Sequence, residues 1–447
     1  LITRERCHEL LAAAAREARS RGVRDVELIV SGGEDSLTRF ANNTIHQNVA
    51  EAGQSLSVRT QEDRRTARAS TNRLDADGVV RAVERAIALM RASAPDEALV
   101  AMAGPAPIDP VNRYAGSTLR CGPAQRAGQV REAIGIAASA GQTAAGVFST
   151  SVQQAALINT EDVFAWHEET MSTFSITVME ADSSGWAKQS AVNVLDLDTA
   201  ALAHSASRKA AMSRKPRELA PGSYEAILEP AAVLDLVGQM FGDFSATSVT
   251  DQRSFLTGRM GEKLFGANIT IHDDVRHPLQ SGLPFDLEGV PRRKLVLVEQ
   301  GVPRELCYSR RAAHAAGQQP TGHGLPLPNE VGEYPANIVM AGGQASVEEM
   351  IRSTSRGILL TRVWYIREVD PYEKIMTGMT RDGTFLVEGG EVVCGIRNFR
   401  FNQSLVELLK GVELLGTPVR ASGEEIYDMV VPPLKVVNFH CTEVTKF

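Results

Sequence analysis

Ser36-Leu37-Thr38-Arg39-Phe40-Ala41-Asn42-Asn43-Thr44-Ile45-His46-Gln47 places an Asn-Asn pair between two β-like runs, 36–41 and 44–49. Asparagine tolerates the positive φ that a two-residue hairpin turn demands, so the pair predicts a tight reversal with Phe40 opposite Ile45. Further β-like pieces at 26–30, 54–60 and 65–70 extend the hairpin into an antiparallel meander. A helix precedes it: Leu10, Leu11, Ala14 and Ala18 fall at helical spacing, with Thr3 as N-cap and Gly22 as stop.

Helical periodicity returns at 76–93 (Val79, Val80, Val83, Ile87, Leu89) and at 123–140, across the Pro/Gly-rich connector 103–110. Phe174, Ile176 and Val178 then alternate with Thr173, Ser175 and Thr177, the period of a half-buried strand. A helix over 198–213 ends in Lys215-Pro216-Arg217-Glu218-Leu219-Ala220-Pro221-Gly222, where two prolines and a glycine interrupt both kinds of regular structure. With 447 residues, more than one core is expected, and this stretch divides the chain into domains 1–215 and 222–447. The second half carries apolar bursts at 224–228, 269–271, 295–299, 358–363 and 385–387, and one helix near 404–415. The expected class is α+β: an N-terminal α/β domain, an antiparallel meander with helices, and a C-terminal, mainly antiparallel β domain.

Acidic side chains outnumber basic ones by 54 to 47, and the net charge of −7 offers no broad attraction to nucleic acid or anionic lipid. Neither nucleic acid nor membrane is expected as a partner. Five scattered cysteines, none in a C-x-x-C pair, read as reduced thiols. There is no apolar run of about 18 residues, and 3–21 is too charged for a signal-peptide core. The expected compartment is the cytoplasm.

Trp166-His167-Glu168-Glu169-Thr170-Met171 opens like the zincin motif H-E-x-x-H, but Met171 stands at the second histidine position. Its flanks, Phe164, Trp166, Phe174 and Ile176, suggest a strand, which points His167 and Glu168 to opposite faces and leaves His167 as a surface histidine. His272, Asp273, Asp274 and His277 put four potential metal ligands within six positions, yet match no metal's spacing rule; a strand-ending turn explains them equally. Gly342-Gly343 and Gly389-Gly390 read as turns, since neither opens a phosphate-binding fingerprint. Cys441 sits among Val436, Val437, Phe439 and Val444, the setting of a packed residue in a terminal strand.

An ordered series of phrases resembles the TldD/TldE (PmbA) family, once labelled modulators of DNA gyrase. They are the 36–47 stretch and Ser55-Leu56-Ser57-Val58-Arg59, then Ser254-Phe255-Leu256-Thr257-Gly258-Arg259-Met260-Gly261-Glu262 running into Ile269-Thr270-Ile271-His272-Asp273-Asp274. Pro284-Phe285-Asp286-Leu287-Glu288-Gly289-Val290-Pro291, Gln300-Gly301-Val302, Thr321-Gly322 and Gly383-Thr384-Phe385-Leu386-Val387-Glu388-Gly389-Gly390-Glu391 follow. The resemblance implies a two-domain protein that dimerises around a cavity. In such dimers the TldD subunit is a zinc peptidase of small or unfolded peptides, with an H-E-x-x-x-H helix and a distal cysteine, and the TldE subunit lacks the motif.

The matching segment here is Glu229-Pro230-Ala231-Ala232-Val233-Leu234-Asp235-Leu236-Val237-Gly238-Gln239-Met240. With Gly238 on the family's glycine, Leu234 and Gln239 occupy the two histidine positions and Asp235 the glutamate position. Leucine has no donor atom and a glutamine amide is a poor zinc ligand, so no metal site is expected here. The region of the distal cysteine reads Pro418-Val419-Arg420-Ala421-Ser422-Gly423-Glu424-Glu425, without a cysteine.

The resemblance therefore implies a TldE-like, non-catalytic subunit of a peptide-processing metallopeptidase complex. Its zinc would be carried by a TldD-type partner in a heterodimer; a homodimer is the other assembly to weigh. Two alternatives belong to other classes: a stand-alone hydrolase built on His272, Asp273, Asp274 and His277, and a DNA gyrase modulator, which the acidic balance disfavours. Phe285, Asp286, Glu288 and Gly289 are the residues expected to wall a peptide cavity.

Overall fold

Asn42 and Asn43 both take positive φ, 50° and 59°, and the hairpin they close sets Phe40 against Ile45 and Ala41 against Thr44. The computed structural model describes residues 2–445. The strands leaving the turn, β1 (Asp25–Ala41) and β2 (Thr44–Glu62), run on through the glycines at which the sequence suggests separate pieces. Gly33 pairs with Gly53 across them. Gly33 is required by the neighbouring strand, because a Cβ there would lie 2.6 Å from the carbonyl oxygen of Val152.

With β3 (Arg65–Thr71), β4 (Thr143–Asn159), β5 (Phe164–Met179) and β6 (Ser184–Ala191), these strands form one antiparallel sheet in the order β3-β2-β1-β4-β5-β6. The alternation of side chains assigns its two faces different tasks. Even-numbered residues of β1, β4 and β5 (Leu28, Val30, Phe40, Phe148, Phe174, Ile176) face helices. Those helices are α1 (Arg4–Ser20), whose first turn is capped by Thr3, α2 (Ala76–Ala92), the short α3 (Gly116–Leu119), α4 (Pro123–Ser139) and α5 (Thr199–Met212). Odd-numbered residues face the C-terminal half: Leu157, Val163 and Ala165 pack with Phe285. On that face Glu27, 1% exposed, accepts from Arg59 Nε at 3.0 Å and Nη2 at 2.8 Å and from Arg68 Nη2 at 2.7 Å. Arg68 Nε also donates to the carbonyl of Leu327, at 2.6 Å, in the C-terminal half.

The C-terminal half adds β7 (Gly222–Leu228), the helix α6 (Pro230–Val237), β8 (Ile271–Asp273), β9 (Leu295–Glu299), β10 (Val302–Pro303) and β11 (Ile338–Met340). It continues with β12 (Arg356–Asp370), β13 (Ile375–Glu388), β14 (Glu391–Gly395), β15 (Phe399–Ser404), β16 (Val412–Leu415), β17 (Val419–Ala421), β18 (Met429–Val431) and β19 (Leu434–Val444). Pairing runs β12-β7-β19-β15-β13 and returns from β13 to β12, so five strands close into a barrel, to which β14 and β16 add as edge strands on β13 and β19. A second sheet, β10-β9-β8-β11-β18-β17, stands beside it. One core from Ala226 to Cys441 fills the space between them, α6 included. Most pairings are antiparallel; β7–β12 and β11–β18 are parallel. The helix expected over 404–415 is shorter, ending at Lys410, because Gly411 caps it and the chain re-enters the barrel as β16.

Asn43 does more than turn the chain. Its Nδ2 donates to the carbonyl of Gln142 at 2.8 Å and its Oδ1 accepts from Ala144 N at 2.7 Å, tying the hairpin tip to the start of β4. Asn43→Ala should therefore cost about 2 kcal/mol, through two lost hydrogen bonds and a left-handed alanine. Asn42→Gly should stay within about 0.5 kcal/mol of the parent or improve on it. Urea unfolding midpoints of the two variants check both numbers.

Candidate functional site

Helix α6 begins with Pro230 at its first position, where a missing N–H costs nothing. Every residue from Ala232 to Val237 is buried, the mark of a helix inside a core. Leu234 lies in that core, fully enclosed. Gln239 follows the end of the helix, and its Nε2 donates back to the carbonyl of Asp235 at 3.1 Å. Asp235 is the only ionisable side chain on α6. Its Oδ2 accepts from Glu424 N and its Oδ1 from Glu425 N, each at 3.1 Å.

Contact between the 422–425 loop and the helix requires a glycine. A Cβ on Gly423 would lie 2.1 Å from Asp235 Oδ1 and 2.4 Å from Leu234 Cδ2. The loop is held from the first sheet as well: Ser422 Oγ donates to Ser190 Oγ at 2.7 Å, and Lys188 Nζ donates to the carbonyl of Gly423 at 2.5 Å. Burial pushes the Asp235 carboxyl up to about 6; the loop amides oppose the shift, and the charges of Glu425 and Glu424 add to it.

The donor set around α6 does not fit zinc. Zn²⁺ takes imidazole, thiolate and carboxylate ligands, whereas this helix offers one carboxylate committed to two backbone amides, one amide turned onto its own helix, and an alkyl group. Cys441 does not complete a site; it is packed in β19, and burial pushes its thiol up to about 12. Among the described residues, no group of three or more His, Cys, Asp or Glu is placed to hold a metal ion.

The His272 cluster is divided by the strand that carries it. Asp273 points inward, its Oδ2 accepting from Asn337 N at 2.9 Å and its Oδ1 lying 3.1 Å from His323 Nε2. Asp274 accepts from Arg276 N at 3.0 Å and pairs with Lys294 at 3.2 Å, and His277 Nδ1 accepts from Leu279 N at 3.3 Å. These are turn and strand-end contacts. His167 is in a strand, as its flanks indicate, but it is not a surface residue: at 5% exposure it lies on the sheet face toward the C-terminal half, 3.5 Å from Glu169.

Phe285, Asp286 and Glu288 are buried where the two halves meet. Phe285 packs on Leu157 and Val163. Asp286 accepts from the amides of Glu288, Val290 and Gly324, at 2.9, 2.8 and 2.8 Å. Glu288 accepts from Arg310 N at 2.8 Å, and burial, with Asp286 beside it, pushes its carboxyl up to about 8. Gly289 takes φ +86° against Leu157 and Val163. The side chains of this segment thus hold the loop in place.

A cleft of about 380 Å³ opens beside them, lined by Ser281, Arg292, Asn337, Arg420, Tyr427 and Asp428. It adjoins the 422–425 loop, because Arg420 Nε donates to Ser190 Oγ at 2.9 Å, the same hydroxyl that Ser422 reaches. Arg292 carries no signal in the sequence that separates it from Arg293 and Lys294; only burial does.

Residues 221–443 match the model of the PmbA/TldA metallopeptidase C-terminal domain, and 26–89 that of PmbA/TldA metallopeptidase domain 1. An uncharacterized protein of Methanocaldococcus jannaschii is 31% identical over 183 residues, 40% of this chain and 42% of that protein. Metalloprotease PmbA of Escherichia coli O157:H7 is 23% identical over 230 residues, 50% of this chain and 48% of that one. The chain spans less than half the length of these curated relatives. TldE from Thermococcus kodakarensis has the same fold, with a TM-score of 0.87 at 20% identity, covering 97% of this chain and 99% of that one. A Thermotoga maritima protein assigned as a candidate DNA gyrase modulator gives 0.86 at 20% identity, covering 97% and 100%.

The raised Asp235 carboxyl has a measurable consequence. Its proton is held more tightly in the folded than in the unfolded chain, so its contribution to stability is complete below about pH 4 and is lost as the pH climbs through about 6. Asp235→Asn removes this dependence. Relative to the parent, the variant should gain up to ~3 kcal/mol between about pH 4 and pH 7 in urea titrations. A difference that does not change with pH would show the carboxylate to be solvated.

Proposed function

Because this chain belongs to the PmbA/TldD family, we propose that it is a TldE-like, non-catalytic subunit. In this reading it pairs with a zinc-bearing TldD-type chain and completes a cavity in which small or unfolded peptides are processed. The observation that carries the reading is Asp235. At the family's metal helix this acid is spent on the amides of Glu424 and Glu425, and Leu234 and Gln239 supply no ligand beside it. A carboxylate used in that way cannot also activate a metal-bound water.

Peptide holding needs no catalytic group. β17 stands at the end of its sheet, next to the 422–425 loop, and an edge strand can pair with an extended peptide through backbone groups regardless of its sequence. The five cysteines are free thiols, in keeping with a reducing compartment such as the cytoplasm. A net charge of −7 lends no support to a DNA-directed role.

Gentle purification of the native chain should bring down a homologue that carries the H-E-x-x-x-H helix. The pair should cleave unfolded peptides in a chelator-sensitive way, and this chain alone should not. Isolation as a stable homodimer with no such partner, or chelator-sensitive cleavage by the chain alone, would contradict the proposal.

A further inference from the structure

Arg292 lines the 380 Å³ cleft, where its charge bears on the buried carboxylates Asp273 and Asp286 but is hydrogen-bonded to neither. Its Nε and Nη1 are buried without a hydrogen-bond partner, and no carboxylate among the described residues forms an ion pair with it. Arg292 as a whole is half-buried, but each N–H donor buried without a partner costs about 1–3 kcal/mol, so such a pair of donors is normally found with an acceptor. Arg420, across the same cleft, shows the ordinary arrangement: it donates to Ser190, to the carbonyl of Leu279, to Ser281 and to Asp428.

The nearby acids spend their hydrogen bonds on other groups. Asp286 holds three amides, Asp273 holds Asn337 N and faces His323, and Asp428 is bonded to Arg420 and Ser190. The backbone of Arg292 is also fixed: its N–H donates to the carbonyl of Pro284 at 2.9 Å, and Gly322 lies so close that a Cβ there would be 2.6 Å from the Arg292 Cα. The backbone from which the guanidinium projects is therefore fixed before any ligand arrives.

We propose that Arg292 is the binding site for a carboxylate of a peptide held in this cleft. Planar guanidinium and carboxylate match in a two-point hydrogen bond. Charge disfavours a phosphate dianion, because Arg292 already faces Asp273 and Asp286 and two further negative charges would have no counter-charge; a carboxylate brings one charge and the two acceptors that the free donors match. This inference rests on the peptide-holding reading above and adds to it what part of the peptide is read: a charged group at one point, the backbone elsewhere. The carboxylate is either the peptide's C-terminus or an acidic side chain.

The test uses calorimetric titration of the chain with N-acetyl tetra-alanine as the free acid, the same peptide as its C-terminal amide, and amidated N-acetyl-Ala-Glu-Ala-Ala. At least one carboxylate-bearing peptide should bind about ten-fold more tightly than the uncharged amide, and which one does so identifies the source. Arg292→Leu should abolish the preference and leave the amide's affinity unchanged; Arg292→Lys should retain part of it. Equal affinities for all three peptides, or no binding of any, would overturn the inference, as would a preference that survives in a natively folded Arg292→Leu. Should the leucine variant not fold, the comparison of the three peptides on the parent chain still decides. The test needs no second subunit, so failure of the heterodimer reading and failure of this one are separately visible.

Discussion

A carboxylate closed onto two backbone amides, Asp235 onto Glu424 and Glu425, sets the character of this protein. It joins the buried helix α6 to a loop that the first sheet also grips through Lys188 and Ser190. The helix, the loop and the sheet therefore meet at one point. By the correspondence that the family resemblance implies, that point is where a zinc-bearing relative would place its metal ligands. Here the same space is filled by hydrogen bonds and by Gly423, whose lack of a side chain lets the loop lie against Leu234.

How the two halves come together follows from strand parity. One face of the six-stranded sheet is covered by helices, and the other carries Glu27, Arg59, Leu157, Ala165, His167 and Glu169 toward the barrel half. Polar residues on that face are paired across it: Arg68 reaches Leu327, Glu169 accepts from Gly282 N at 2.7 Å, and Arg113 Nη2 donates to the carbonyl of His277 at 2.9 Å. Buried charges of this kind add little net stability but define orientation. They fix the segment 281–292, and with it the cleft in which Arg292 is left free.

Much of this was legible in the residues because local chemistry and tertiary structure agree. The Asn42-Asn43 turn, the Thr3 cap, the helices around Val83 and after Pro123, and the alternation through Phe174 each follow from a short-range rule. Strand β4 did not stand out, since its buried face mixes Ala144, Thr150, Gln154 and Ala156 with Phe148 and Val152. The length of β1 and β2 was obscured for a related reason: Gly33 and Gly53 look like breaks until their pairing is known. At the site, that Leu234 and Gln239 offer no zinc ligand depends on residue type alone. The destination of the Asp235 carboxylate and the unpartnered donors of Arg292 could not be read from the sequence, since both arise from segments nearly 200 and more than 100 residues away in the chain.

What α6 can bind decides whether this chain carries zinc of its own. Elemental analysis of the purified chain, alone and in complex with a zinc-bearing homologue, measures this directly. Zinc should be absent from the chain alone and present at one ion per heterodimer, held by the partner. One tightly held zinc per copy of this chain, lost on mutation of Asp235 or Gln239, would contradict it.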